Sequence, residues 1–335
     1  MIEAVNLKKE FRVNEPGEGT FGALKALFST RKRIIRAVDG VSFAIKRGEF
    51  VGYVGENGAG KSTTIKILTG ILVPSSGSAR VNGIIPYEDR RRNAANIGVV
   101  FGQRTQLWWD LPVRESFEML KAIYRIKPDD FAHMMKKLSS VLDLGPMMII
   151  PVRKLSLGQR MKCDLAASLL HRPGVLFLDE PTIGLDVLAK ENIRTFLGEI
   201  NATEGTTIIL TTHDMNDIER LCGRLIMLDR GRVIYDGLTN ELKQRFAREK
   251  LFEVEFRVRP PSLADVPELE VVEERGSKLS LRFRDGAGGD LAAVIGKLAA
   301  KYDVKDVSVR EPSVESIVRS IYEKTLSLPP YRADG

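Results

Sequence analysis

Ten consecutive residues decide the fold of this chain: Gly55-Glu56-Asn57-Gly58-Ala59-Gly60-Lys61-Ser62-Thr63-Thr64. Four residues separate the first glycine from Gly60, and Lys and Ser follow directly. An apolar run, 50–54, precedes the stretch, and a helical pattern, 64–72, follows it. This strand–loop–helix order is typical of a phosphate-binding loop, in which backbone N–H groups and the positive end of the helix face the phosphates. A glycine-rich turn that matches by chance is the alternative, and the full pattern in this setting disfavours it.

The side chains of the loop suit a nucleotide. The ammonium group of Lys61 can reach the β- and γ-phosphates, and the hydroxyl of Ser62 can ligate Mg²⁺. The predicted nucleotide contacts are Gly55, Asn57, Gly58, Ala59, Gly60, Lys61, Ser62 and Thr63.

The composition indicates an ordinary globular protein. The chain has 335 residues, of which 43% are hydrophobic and 28% charged. No apolar run approaches the roughly 18–20 residues of a membrane span, and the first residues show no signal pattern. Cys163 and Cys222 are too few for a disulfide framework or a zinc site, which favours a reducing compartment. The net charge of +7 favours nucleotides, nucleic acid or anionic membranes without choosing among them.

An insertion is predicted at about 12–36, between one strand that ends at Phe11 and another that starts at 37. Apolar residues at 21–28 have helical spacing, and a basic cluster follows at 31–36. The cluster is either a contact with anionic lipid or a membrane partner, or a solvated basic loop. Phe11 is either a base-stacking aromatic residue or an ordinary core residue.

Several apolar runs end in polar residues. Such runs stop directly before Gly55 and Asp179, and close to Gln103 and His213. Strands interleaved with helices predict a largely parallel sheet, whose ligands gather at the carboxyl ends of the strands. Residues 114–143 are predicted to be helical. We therefore expect the four polar positions to share one edge of the sheet.

These strand-end residues suit phosphate hydrolysis. Asp179 can hold Mg²⁺ beside Ser62, and Glu180 can accept a proton from the water that attacks the γ-phosphate. Gln103 can ligate Mg²⁺ or orient water, and His213 can donate a hydrogen bond to the γ-phosphate. The alternatives are a strand that ends in solvent with two acids and a histidine with no special role.

A second candidate anion site is Leu155-Ser156-Leu157-Gly158-Gln159, which precedes a helical pattern. Ser156 and Gly158 would supply a hydroxyl, backbone N–H groups and a helix dipole. An ordinary helix cap is the favoured interpretation of this segment taken alone. A chain with one complete phosphate loop needs a second anion site only if that site serves another molecule's nucleotide.

The pattern changes after about residue 240. Alternating and helical segments predict a small α+β domain that serves in packing or dimerisation. Its predicted strands are 251–258, 269–272, 279–283 and 304–309, and its predicted helices are 291–302 and 313–326.

Taken in order, these motifs resemble the ATP-binding subunits of ABC transporters over about residues 1–240. The residues that carry the resemblance are the loop Gly55–Thr63, Gln103, the segment Leu155–Gln159, Asp179 with Glu180, Gly184-Leu185-Asp186 and His213. Leu157 replaces the glycine usual at the third position of the signature. The resemblance implies an α/β P-loop NTPase core at 1–242, with a mainly parallel sheet, an antiparallel N-terminal β-subdomain and a helical subdomain at about 104–172. The accessory α+β domain and tail then occupy 243–335.

The resemblance also implies a division of roles within a head-to-tail dimer that hydrolyses ATP with Mg²⁺. Glu180 is the implied general base, His213 the γ-phosphate sensor and Phe11 the base-stacking residue. The implied Mg²⁺ ligands are Ser62, Gln103 and Asp179. The residues implied to act in trans, on the ATP of a homodimeric or heterodimeric partner, are Ser156, Gly158, Gln159 and Asp186.

Polytopic membrane subunits are the implied partners, with residues 103–109 facing their coupling helix. Trp108 and Trp109 would anchor that helix, unless they are partly buried in the core. The C-terminal domain and its ending at 311–317 are similar to the exporter subfamily for drugs or lipid-linked molecules, which implies a place on the cytoplasmic face of the membrane. The alternatives are an ABC ATPase that acts on nucleic acid or ribosomes and a metabolic P-loop kinase. ABC ATPases that act on nucleic acid or ribosomes usually have a second cassette or a long coiled coil, and this sequence shows neither, so no nucleic-acid partner is expected. A metabolic P-loop kinase would leave the signature segment unexplained.

Overall fold

The computed structural model describes residues 1–14, 32–102, 104–245, 251–258, 263, 265–283, 291–310 and 313–323. The chain divides into two units, with Met1–Leu238 in the first and Thr239–Ser327 in the second. Each unit has its own hydrophobic core. Across the described ranges, no helix combines the length and the apolar character that crossing a membrane requires.

Among the described residues, nine strands belong to the first unit. In chain order they are β1 (Ile2–Asn14), β2 (Lys32–Ile45), β3 (Phe50–Gly55), β4 (Ser76–Val81), β5 (Ile97–Phe101), β6 (Val175–Asp179), β7 (Thr207–Thr211), β8 (Arg224–Asp229) and β9 (Arg232–Leu238). Its helices are α1 (Lys61–Leu68), α2 (Arg90–Ala94), α3 (Val113–Tyr124), α4 (Pro128–Leu142), α5 (Leu157–Leu169), α6 (Val187–Glu204) and α7 (Met215–Leu221). Short 3₁₀ turns lie at Gly145–Met147 and Val152–Lys154.

Six of these strands form the central sheet, in the order β5-β6-β7-β3-β8-β9. The first five are parallel, and β9 runs antiparallel to β8. The sequences of β6 and β7 are almost continuously apolar because these strands are buried on both faces, as expected inside a parallel sheet. The predicted α/β class with a mainly parallel sheet is confirmed.

The N-terminal strands form a separate antiparallel sheet in the order β2-β1-β4. Its β1–β2 hairpin is longer than predicted, since Arg12 pairs with Ile34 and Val13 with Arg33. Cross-strand pairs of β-branched and long side chains extend the ladder into residues that we expected to lie in an insertion. The helix predicted at 21–28 lies outside the described residues.

The helical stretch predicted at 114–143 is two helices, α3 and α4. Arg125 ends α3 in the left-handed conformation, with φ 54°, and Pro128 begins α4 at a position that needs no backbone donor. The apolar spacing continues across this break, so the sequence pattern does not reveal it. Both helices bury an apolar stripe that includes Phe117 in α3 and Leu138 in α4.

The second unit is a small α+β domain, as predicted. Its sheet has the order β11-β12-β10-β13 and is antiparallel throughout. The strands are β10 (Leu251–Phe256), β11 (Leu269–Arg275), β12 (Lys278–Phe283) and β13 (Val304–Arg310), and the helices are α8 (Thr239–Arg245), α9 (Leu291–Lys301) and α10 (Val314–Tyr322). Phe252 and Leu281 of the sheet pack in one core with Val294 and Leu298 of α9. Its role in packing or dimerisation stays a prediction.

Candidate functional site

The loop between β3 and α1 has a shape that only glycine permits at one point. Gly60 has φ 104°, and a Cβ there would lie 2.3 Å from the carbonyl oxygen of Ala37. Gly58 also has a positive φ, but a Cβ there would meet no protein atom within 4 Å. The chain thus packs tightly behind Gly60 and leaves open space beside Gly58. A loop of this form has room for an anionic group in front of its backbone.

Lys61 lies at the base of this loop with its side chain mostly buried. Its Nζ donates hydrogen bonds to the carbonyl oxygens of Gly55, at 2.5 Å, and Glu56, at 3.2 Å. Burial lowers the pKa of the Lys61 ammonium group, and the negative charges of Glu180 and Asp179 oppose that shift. The lysine therefore lies within electrostatic reach of both strand-end acids.

Asp179 connects the loop to the end of β7. Its Oδ1 accepts a hydrogen bond from the Thr211 hydroxyl at 2.5 Å and lies 3.4 Å from the Ser62 hydroxyl oxygen. The parallel register sets Asp179 opposite Thr211, which brings these side chains together. Within the described ranges, no group of three or more His, Cys, Asp or Glu side chains could hold a metal. One hydroxyl and one carboxylate nevertheless suit Mg²⁺, which keeps several waters and takes phosphate oxygens as its other ligands.

Glu180 and His213 are in direct contact. The Nε2 atom of His213 lies 2.8 Å from Oε1 of Glu180, and since an ionised carboxylate only accepts hydrogen bonds, Nε2 is the donor. Glu180 has φ 57°, which is unusual for a residue with a side chain and costs about 1–3 kcal/mol. A hydrogen bond of 2.9 Å from its backbone N–H to the Thr211 carbonyl holds this conformation.

Gln103 lies outside the described residues, but its neighbour Gly102 is placed close to the strand-end acids. The backbone N–H of Gly102 donates to the Asp179 carbonyl at 2.7 Å. A Cβ at Gly102 would lie 2.5 Å from the Glu180 carbonyl oxygen. The chain therefore passes beside Asp179 and Glu180 immediately before Gln103.

Ser156 is the N-cap of α5, so the capping interpretation holds within this chain. Its hydroxyl oxygen accepts from the Gln159 backbone N–H at 3.2 Å, and the Gln159 side chain accepts from the Ser156 N–H at 3.0 Å. Both side chains are exposed. The Ser156 oxygen accepts this bond and retains its own proton, so the hydroxyl can still donate to a second partner.

Asp186 and Gly184 lie in the loop before α6. The Asp186 carboxylate caps α6 by accepting from the Ala189 N–H at 2.8 Å. A Cβ at Gly184 would lie 2.5 Å from the side chain of Leu157. Leu157, the unusual residue of the signature segment, therefore packs against this loop.

Two of the predicted contact residues are aromatic, Phe11 and Trp109. Phe11 is in the β1–β2 hairpin, where the Lys9 ammonium group lies 5.4 Å from the centre of its ring. Trp109 is exposed, and the Arg160 guanidinium lies 5.6 Å from its ring centre. Their roles towards ATP and a membrane subunit stay predictions.

Two buried acids next to this site, Asp164 in α5 and Asp217 in α7, were not predicted from the sequence. Asp164 accepts from the Thr105 hydroxyl at 2.8 Å and the Gln106 N–H at 3.0 Å. The sequence does contain a signal for Asp164, because it is a charged residue on the apolar stripe of α5, next to Leu165. Nothing comparable marks Asp217, which lies in a short polar helix.

The chain is similar in sequence to known proteins. The family described as ABC transporter matches residues 38–183. The ABC transporter ATP-binding protein NatA of Bacillus subtilis is 32% identical over 224 residues, which cover 67% of this chain and 91% of NatA. The probable multidrug ABC transporter ATP-binding protein YbhF of Escherichia coli is 36% identical over 216 residues, which cover 64% of this chain and 36% of YbhF.

A solved structure is similar as well. A dimeric ATP-binding cassette in a post-hydrolysis state, bound to ADP and Pi, aligns with a TM-score of 0.61 and 26% identity over 71% of this chain and 98% of the cassette. The motifs, the sheet order and these similarities all indicate the same family. The chain therefore belongs to the ABC transporter ATP-binding proteins and is an ATPase subunit of a transporter.

Proposed function

We propose that the loop Gly55–Thr63 binds the phosphates of ATP and that the strand-end acids carry out its hydrolysis. The single observation that carries this proposal is the Glu180–His213 contact. The position of Asp179 next to Ser62 supports it. Lys61 would exchange its bonds to two loop carbonyls for bonds to the β- and γ-phosphates. Ser62, Asp179 and Gln103 would hold Mg²⁺, which neutralises charge on the phosphates.

Glu180 is the proposed general base. Its carboxylate would accept a proton from the water that attacks the γ-phosphorus atom. Before ATP binds, His213 would hold that carboxylate through Nε2. His213 would turn its hydrogen bond towards the γ-phosphate when ATP is present. Phe11 is the proposed partner of the adenine ring, through stacking from the N-terminal hairpin.

A second copy, or a similar ATPase subunit, would complete each site head-to-tail. Ser156, Gly158 and Gln159 of one subunit would face the ATP that the other subunit holds, and Asp186 would lie across the same interface. The exposed start of α5 supports this arrangement, because the Ser156 hydroxyl and the helix dipole are available to an anion from outside the chain.

Export is the proposed direction of transport, with the chain peripheral on the cytoplasmic face of the membrane. The multidrug description of YbhF supports it. The exposed Trp109 and its partner Arg160 are the proposed contact with the membrane subunit's coupling helix.

The general base and the dimer are tested with Glu180→Gln. We expect ATP hydrolysis to fall about 10²–10⁴-fold, because the amide cannot accept the proton, while ATP binding persists. With ATP, light scattering should then show the mass of two chains, and with ADP the mass of one. Hydrolysis close to the wild-type rate would contradict the role of Glu180.

Complementation tests the head-to-tail arrangement. Lys61→Ala and Ser156→Ala are each expected to abolish hydrolysis in a pure preparation. Mixing the two should restore about a quarter of the wild-type activity, because half of the dimers would be mixed and each would have one intact site of two. If Ser156 acted on its own chain's ATP, mixing would restore nothing.

Two further experiments test the transporter role. The chain is captured from native membranes, and we expect a polytopic membrane subunit to accompany it, whereas recovery of ribosomes or nucleic acid would oppose the proposal. The captured complex is then placed in vesicles with the ATPase subunit outside. ATP-dependent accumulation of a labelled drug-like or lipid-linked compound inside the vesicles would agree with export, and ATP-dependent release would contradict it.

A further inference from the structure

Asp217 is a fully buried carboxylate next to the proposed catalytic loops. One of its oxygens, Oδ2, accepts from the Thr182 hydroxyl at 2.8 Å and from the Thr212 hydroxyl at 3.1 Å. The other, Oδ1, accepts from Nε of Arg194 in α6 at 2.5 Å. One side chain therefore joins the loop at Thr182, helix α6 and the turn that precedes its own helix.

A second acid continues the same network. Asp214 accepts from Lys190 at 2.9 Å and from Arg194 at 3.2 Å, and both of these bases lie in α6. Burial alone would lower the pKa of the Arg194 guanidinium, but Asp217 and Asp214 outweigh it and raise that pKa. The guanidinium thus stays charged. It joins α6 to Asp214, which caps the start of α7, and to Asp217 within α7.

These contacts lie one or two residues from the groups that we propose for hydrolysis. Thr182 follows Glu180 by two residues, Thr212 directly precedes His213, and Asp214 directly follows it. Glu180 also has the strained φ of 57°. A strained backbone persists only where its surroundings hold it, so the bond from Thr182 to a buried anion has a clear physical role.

We propose that Asp217 is a positioning residue that anchors the loops 180–182 and 212–214 to α6 and so sets Glu180 and His213 in contact. The inference rests on the proposed function, because it assigns Asp217 a role in the geometry of those two residues. Asp217 itself is too deeply buried to touch ATP. Its effect is therefore on the rate of hydrolysis and not on the binding of nucleotide at the Lys61 loop.

Thr182→Val is the cleanest test, since valine has nearly the shape of threonine and lacks only the hydroxyl. The matched control is Thr203→Val in α6, where the lost hydroxyl donates to the backbone carbonyl of Glu199 in the same helix. We expect Thr182→Val to lower kcat about tenfold or more, because small displacements of catalytic groups cost rate, while KM for ATP changes less than about twofold. Thr203→Val should leave both constants unchanged.

Thr182→Ser separates positioning from folding, because serine returns the hydroxyl to Asp217 and should recover most of the lost kcat. All rates are measured well below the thermal unfolding temperature of each variant, where a loss of stability alone leaves kcat unchanged. Asp217→Asn is the second variant, and it should lower kcat in the same way because it removes the charge that holds Arg194.

A folded Thr182→Val protein with kcat within twofold of wild type would overturn the proposal. An equal loss in Thr182→Ser would also overturn it, since the hydroxyl would then not be the group that matters. Failure of the proposed function would give a different result. Lys61→Ala or Glu180→Gln would then still hydrolyse ATP, whether or not the Thr182 variants lose activity.

Discussion

Replacement of the buried Asp164 by Asn should stabilise the protein at neutral pH. Asp164 is 4% exposed, and its burial raises the pKa of the carboxyl to about 6 from 3.8, against the hydrogen bonds of Thr105 and Gln106 and the charge of Arg160. The amide oxygen of Asn can accept the same two hydrogen bonds without a charge. Asp164→Asn therefore removes the cost of the buried charge and keeps the geometry.

The sign follows from proton binding. Between pH 3.8 and about 6 the folded protein binds the Asp164 proton more tightly than the unfolded chain does. The carboxyl therefore contributes stability that is fully present below pH 3.8 and is lost as the pH rises through about 6. Asp164→Asn has no carboxyl at this position and does not lose this stability. The difference in the free energy of unfolding between the variant and wild type should therefore grow between pH 3.8 and about 6 and then stay constant.

The pKa difference sets the size of the effect. A change from 3.8 to about 6 corresponds to about 3 kcal/mol in the free energy of unfolding. For a unit of this size, about 2–4 °C per kcal/mol gives about 6–12 °C in the unfolding temperature. That is large enough to measure directly.

Tryptophan fluorescence is a suitable assay, because the chain has two tryptophans and both, Trp108 and Trp109, follow the segment that Asp164 holds. Thermal unfolding of wild type and Asp164→Asn would be compared at about pH 4 and about pH 7.5. Glu199→Gln, which removes an exposed carboxylate from the middle of α6, is the control for the loss of a surface charge. If the gap between wild type and Asp164→Asn is equal at both pH values, the carboxyl does not titrate as its burial requires.

Two further predictions concern the phosphate loop. Lys61→Ala should weaken ATP binding about 10-fold to 150-fold in isothermal titration, because charge-assisted hydrogen bonds are worth about 1.5–3 kcal/mol, whereas Lys66→Ala in α1 should not. Undiminished binding in Lys61→Ala would refute the phosphate role of this lysine. Gly60→Ala should abolish ATP binding and lower the unfolding temperature by more than Gly83→Ala, since both glycines have positive φ but only at Gly60 would the Cβ overlap backbone. Equal effects in the two variants would show that the overlap at Ala37 is relieved at no cost.

Much of the fold could be predicted because its signals are local. The apolar runs of β6 and β7 and the glycines of the loop each lie within a few residues, and each matches the structure. Segment ends were predicted less well. The strands predicted to end at Phe11 and to start at 37 pair with each other as far as Asn14 and Lys32. The helical stretch at 114–143 contains a break, because Arg125 is left-handed although the apolar spacing continues.

The sequence by itself determined which residues lie in the loop and at the strand ends, since a loop of the Gly55–Thr63 type and an acid pair after an apolar strand require no knowledge of the rest of the chain. Only the tertiary structure decided which distant groups hold these residues in place. Asp164 meets Thr105 across 59 positions, and Asp217 meets Thr182 across 35. The physical reason is that the partner of a buried carboxylate depends on the packing of separate segments, which no spacing within one segment records.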